Sequence, residues 1–414
     1  MSLCPKRTVA ELKELRSLTA DENGAQRVAF TETWLRARNW LREKVRDLPL
    51  EIHNDNAGNT WFTLQGVSDS RLVIGGHMDS VPNGGWLDGC LNVLAGVEIL
   101  RRIHAQYNGK PPVTVRLVDW TDEEGARFGK SLFGSSACSG NLNLDEARNL
   151  EDKDGMRLPD ALRAVGIDFE RVKESGAELK NAAAYLELHI EQGPVLLDLD
   201  LPLAAVLGTF GVERHAITFH GQAAHSGSTP MNRRKDAFLA AGRMGREIYR
   251  IAARSGHGVC TIGSCVTRPG IVTSVVEDCR ITLDQRHLDP AALAAMLSQA
   301  RAASEEFARE GNVTVRWERL WQIAPRPFDH QLVDLCEEAI REACGKTHRM
   351  PSGPLHDAAE AAAAGVPTVM MFVQSLHGIS HNKIEDTKEE HLEMAVTAFD
   401  TLAEKTMHWI SNRS

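Results

Sequence analysis

Short apolar runs alternate with amphipathic stretches through the first half of the chain. Residues 25–46 space their apolar positions as a helix does, 71–76 read as a buried strand, and 91–104 read as helical again. In that last segment Val93, Val97 and Leu100 fall on one face. Further strands are predicted at 113–121 and 184–190. Strands separated by helices imply a layered α/β domain around a largely parallel sheet.

The pattern changes near Gly211. Residues 214–219 alternate like a half-exposed strand, a helix is predicted over 235–253, and strand-like runs follow at 258–267 and 280–286. A helix over 290–310 and a strand at 313–317 complete a β-α-β-β-α-β order, which suits a small ferredoxin-like, open-faced α+β sheet with helices on one side. After residues 325–327 the earlier alternation resumes, with an apolar strand at 368–373 and a helix-compatible alanine run at 358–364. The chain is therefore expected to hold a discontinuous α/β domain, 1–211 with 327–414, interrupted by an inserted domain at 212–326.

A length of 414 residues supports this division, being too long for one compact core. A net charge of −9 argues against a nucleic-acid partner. No apolar stretch reaches the roughly 18 residues needed to cross a bilayer, and the first ten residues lack the apolar core of a secretion signal. The eight cysteines never form a C-x-x-C pair, so neither a disulfide framework nor a zinc knuckle is indicated. A cytoplasmic protein is expected.

Candidate chemistry gathers at the predicted strand ends. His77 and Asp79 follow the 71–76 run, two residues apart, so Asp79 is placed to orient the His77 imidazole. A glycine-rich loop at 84–89 carries Asp88 to the start of a helix. Glu123 and Glu124 close the next strand, and neighbouring residues leaving a strand face opposite ways, so the two carboxylates can take different tasks. His189 ends another strand, and His381 lies in a loop after the last one. These histidines and carboxylates exceed the needs of one zinc; a bridging aspartate would make the set sufficient for two metals.

These motifs resemble the M20 family of metallopeptidases and amidohydrolases, in the branch with N-carbamoyl-L-amino-acid hydrolases, β-ureidopropionases and allantoate amidohydrolases. The resemblance rests on Gly76-His77-Met78-Asp79-Ser80, the 84–89 loop, Thr121-Asp122-Glu123-Glu124-Gly125-Ala126-Arg127-Phe128, His189-Ile190-Glu191-Gln192-Gly193, the 225–231 run and Gly378-Ile379-Ser380-His381. It implies that Asp88 bridges two divalent ions (zinc, manganese, cobalt or nickel), with His77 and His189 completing one site and Glu124 and His381 the other. Glu123 would be the general base, and His225 would stabilise the oxyanion from the inserted domain of a homodimer partner. Arg286 would receive the substrate carboxylate, with Gln192, His356 and Thr273 at further substrate-contacting positions.

Three departures stand out. Thr273 occupies the place of a usual asparagine, Leu355 puts bulk beside His356, and Asn92 replaces a glycine after the bridging aspartate. The intact metal set with an altered substrate shell implies hydrolysis with a shifted or narrowed range. The first expectation is a two-metal amidohydrolase converting an N-carbamoyl-L-amino acid to amino acid, carbon dioxide and ammonia. Allantoate, an N-acyl amino acid conjugate, or silent ligand binding are the alternatives.

Overall fold

In a computed structural model of the chain, which describes residues 2–413, the apolar runs of the first half form the middle of a large mixed sheet. Its strands follow the order Leu203–Thr209, Thr368–Val373, Ala182–Ile190, Ser68–His77, Val113–Trp120, Thr60–Leu64, Glu51–Asn54. From Thr368–Val373 to Val113–Trp120 the pairings are parallel; those outside them are antiparallel. All eight residues of Val113–Trp120 are buried, as a strand covered on both faces requires. His77 sits opposite Trp120, and His189 opposite Phe372. The parallel strands therefore end along one edge, where α/β sheets place their chemistry.

The helix Cys90–Gln106 is buried nearly all round and carries Val93, Val97 and Leu100 into the main core. The helix expected over 25–46 is shorter, spanning Glu32–Lys44. Phe30 takes a left-handed φ of 63° and Thr31 caps the helix by accepting from the Trp34 N–H at 3.3 Å. The preceding residues instead form a small hairpin, Ala20–Asp21 with Gly24–Ala25.

Two units are distinguished, one running to Gly208 and resuming at Phe328, the other spanning Thr209–Pro327. In the second, four antiparallel strands lie in the order Val259–Arg268, Asp278–His287, Gly211–His220, Thr314–Ile323. The helices Ala237–Arg254 and Pro290–Glu310 pack Met244, Ile248 and Met296 against Ile217, Phe219, Ile281 and Leu283. Asp236 and Asp289 cap these helices, the latter followed by a proline at the first turn. No helix among the described residues is long and apolar enough to cross a membrane.

Candidate metal centre

Four segments leaving the sheet edge bring their polar residues onto one point. Asp88 lies at its centre with both oxygens engaged. Its Oδ1 faces His189 Nε2 at 3.1 Å and His77 Nε2 at 3.6 Å, while Oδ2 faces His381 Nε2 at 3.5 Å. Glu124 Oε2 is 3.2 Å from the same His381 nitrogen. The ligand atoms thus sort into His77, Asp88, His189 and Asp88, Glu124, His381. Separations of this size suit a tetrahedral ion with bonds of roughly 2.0–2.1 Å, whose ligand atoms stand about 3.3 Å apart.

The backbone sets which nitrogen of each ring is free. His77 Nδ1 lies 3.1 Å from the Asp79 carbonyl and His189 Nδ1 lies 2.8 Å from the Ile190 carbonyl. A carbonyl only accepts, so each Nδ1 carries a proton and each Nε2 keeps its lone pair pointing at Asp88. His77 Nε2 is buried and has no hydrogen-bond partner among the described residues. Lone pairs facing a carboxylate across such gaps need positive charge between them. Charge crowding says the same: burial and the nearby Asp88 push the Glu124 carboxyl well above its usual range, and burial with Asp357 and Glu124 does so for Glu123, against the pull of His77. The donor set fits divalent cations.

Glu123 and Glu124 do diverge, but not through strand alternation. The strand ends at Trp120 and Asp122 takes a left-handed φ of 54°, so both carboxylates stand on a turn beyond the strand. Glu123 Oε2 stands 3.6 Å from His77 Nε2, whereas Glu124 Oε2 stands 3.2 Å from His381 Nε2. Asp79 fixes this turn, accepting the Glu123 N–H at 3.3 Å and the Glu124 N–H at 3.1 Å. Its carboxylate is farther from His77 Nδ1, at 3.6 Å, than its own carbonyl is. Asp79 therefore ties two ligand-bearing strands together more than it orients the ring.

Residues beyond the candidate ligands surround Asp88. Ser380, which the sequence did not single out, places its Oγ 2.9 Å from Asp88 Oδ2, and Gln192, expected on the substrate side, donates to the same oxygen at 2.8 Å. Glu385 Oε1 accepts the N–H groups of Leu87 and Asp88 at 3.0 and 3.1 Å, and burial with the nearby Asp88 pushes its carboxyl up to about 7. Only the Gly-Ile-Ser-His run hinted at Ser380; Glu385 carried no signal, because its partners lie some 300 residues away in sequence. Gly89, with a φ of 67°, turns Asp88 into the helix, and a Cβ there would stand 2.4 Å from the His77 ring. His356 packs on His189 with ring centroids 4.4 Å apart; burial and then His189 hold its pKa well down, so the ring is neutral.

Comparison with known proteins gives the family. The model of the peptidase family M20/M25/M40 matches residues 73–405. The chain belongs to peptidase family M20/M25/M40. Among M20 relatives, an N-carbamoyl-L-amino acid amidohydrolase of Geobacillus stearothermophilus is 34% identical over 89% of this chain and 90% of its own length. An allantoate amidohydrolase of Escherichia coli K12 is 32% identical over 90% of this chain and 91% of its own. The crystal structure of a hydantoinase/carbamoylase family amidase from Burkholderia ambifaria superposes with a TM-score of 0.87 at 32% identity, covering 98% of both chains. This M20 chain is a hydrolase of carbon–nitrogen bonds other than peptide bonds.

The remaining candidate residues lie in the unit Thr209–Pro327. There the exposed His225 accepts at Nδ1 from the N–H groups of Gly227 and Ser228, at 3.1 and 3.2 Å. That pins the proton on Nε2 and makes it a hydrogen-bond donor. Across a short bridge His225 pairs with Ser274, and the neighbouring Thr273 carbonyl accepts the Ser226 N–H at 3.0 Å. Arg286 lies on the strand Asp278–His287, its Nε donating to Asp284 Oδ1 at 2.8 Å.

Proposed function

We propose that this M20 chain hydrolyses the carbamoyl C–N bond of an N-carbamoyl-L-amino acid, giving the amino acid, carbon dioxide and ammonia. The observation that carries the reading is the division of Asp88, one oxygen toward two histidines and the other toward Glu124 and His381, with Glu123 beside the first group. Two divalent ions would be held by His77, Asp88 and His189, and by Asp88, Glu124 and His381. Bound there, they would supply Lewis acidity and lower the pKa of water.

The chain's own groups then divide the work. Glu123 takes a proton from the attacking water and returns it to the departing nitrogen. The Nε2–H of His225 is the donor assigned to the oxyanion, within a homodimer built through residues 212–326. Arg286 offers a planar fork to the substrate carboxylate, with Gln192, His356 and Thr273 beside the substrate.

Allantoate is the second reading, favoured by Thr273 and Leu355, since both change the substrate shell and leave the ligands intact. Chelator-stripped protein reloaded with each of zinc, manganese, cobalt and nickel should be assayed on N-carbamoyl, N-formyl and N-acetyl amino acids and on allantoate. Preference for the carbamoyl series supports the first reading and preference for allantoate the second. Absence of ammonia or amine release from every substrate overturns both.

A further inference from the structure

Arg27 is fully buried, yet no carboxylate lies within ion-pairing distance of it among the described residues, and its Nη2 has no hydrogen-bond partner there. Burying an unpaired guanidinium is costly, so its contacts should explain its place. Nε donates to the Met78 carbonyl at 2.9 Å, and Nη1 to Thr19 Oγ1 at 3.3 Å. The backbone pairs with the same stretch: the Arg27 N–H donates to Ser80 Oγ at 3.1 Å and the Ser80 N–H to the Arg27 carbonyl at 3.2 Å. Two residues earlier Ala25 bridges Gly84. Residues 25–27 are thus zipped along the loop that runs from His77 to Asp88.

Met78 stands between His77 and Asp79, and both of its backbone polar groups are held by buried charge. Its carbonyl takes Arg27. Its N–H donates to Asp119 Oδ1 at 2.9 Å, and Asp119 Oδ2 is held by Arg38 Nε at 2.6 Å. The carbonyl and the N–H leave the backbone on opposite sides of one Cα, so the two contacts together fix how His77 and Asp79 are aimed. The Asp79 carbonyl sets the His77 tautomer and the Asp79 carboxylate sets the Glu123–Glu124 turn. One arginine therefore bears on a ligand, on the base and on the second ligand set.

We propose that Arg27 is a positioning residue, holding the His77–Ser80 segment in the shape that receives divalent cations. The inference rests on the two-cation reading above. Its sign separates it from simple electrostatics. Deleting a buried cation close to a metal centre should tighten metal binding if charge alone matters. Loss of positioning should weaken it.

The test is cobalt(II) binding to the stripped full-length protein, measured by chelator competition and by the visible absorption of the bound ion. Circular dichroism checks the fold of wild type, Arg27→Met and Arg27→Lys. The expected result is folded Arg27→Met with about 10–100-fold weaker cobalt binding and an altered cobalt spectrum. Arg27→Lys, which can still donate to the Met78 carbonyl, should recover part of both. Binding by Arg27→Met equal to or tighter than wild type overturns the proposal. So does failure of both variants to fold, which would make Arg27 a folding residue. Wild type that takes up no cobalt overturns the two-cation reading itself, before any substitution is considered.

Discussion

The side-chain amide of Gln192 donates to Oδ2 of Asp88 at 2.8 Å, although Gln192 was expected on the substrate side. The Asp88 carboxylate, proposed to bridge two cations, is thus held by an uncharged donor, with Ser380 at the same oxygen. Gln192→Glu would set a second carboxylate against Asp88. Metal-free Gln192→Glu should melt lower than metal-free wild type, at roughly 2–4 °C per kcal/mol lost. Added divalent metal should then raise its melting temperature more than it raises that of wild type. Thermal melts with and without metal decide this, and equal metal-induced shifts would count against the bridging role.

Glu123 is separable from the ligands. It faces His77 but belongs to neither ligand group. Glu123→Gln should keep wild-type metal content by elemental analysis and lose turnover by about 10²–10⁴-fold, the contribution of a positioned general base. A near-native rate would remove it from the mechanism.

Gly85 leaves room for Glu385. A Cβ at position 85 would stand 2.0 Å from Glu385 Oε1, the oxygen that accepts the Leu87 and Asp88 N–H groups. Gly85→Ala should displace that carboxylate and strand two buried donors, costing about 1–3 kcal/mol for each group left unsatisfied. Urea unfolding reads the loss, and an unchanged midpoint would show that the loop relaxes freely.

Away from the metal centre, acid should selectively loosen the packing around Glu178. Burial opposes its ionisation, but hydrogen bonds from Arg116 and His53 outweigh this and lower its pKa from 4.5. A lowered folded-state pKa means the stabilisation is present above the unfolded value and is lost as pH falls through the folded one. Glu178→Gln should therefore lower the unfolding midpoint at pH 7, with the deficit shrinking as pH falls below 4.5. A deficit that stays constant across that range would assign the effect to packing.

Much of the site was legible in the sequence, because its ligands lie at the ends of runs whose strand character is strong. His77, Glu124 and His189 each follow an apolar run that becomes a parallel strand. What escaped detection depends on long-range geometry. Glu385 and Arg27 act on backbone groups far away in sequence, and no local spacing predicts such a bond. The helix placed over 25–46 began too early because apolar periodicity continues through a segment where Phe30 breaks the helix by its backbone alone. The turn at Asp122 was likewise hidden: the residues were read correctly as divergent, but for a reason belonging to strands. The antiparallel edge strand Glu51–Asn54 is too short to stand out.

The centre draws on both sides of the insertion. Arg27, His77, Asp88, Glu124 and His189 precede residue 209, whereas His356, Ser380, His381 and Glu385 follow residue 328. A chain emerging from the ribosome can therefore gather the first group of candidate ligands before His381 has been made, and cannot complete the second until it has. Assembly should be stepwise, with the His77, Asp88 and His189 group able to form first and the Asp88, Glu124 and His381 group only later. Ribosome-bound chains stalled before and after His381 emerges, compared for metal-dependent protease resistance, should show a partial gain before and the full gain after.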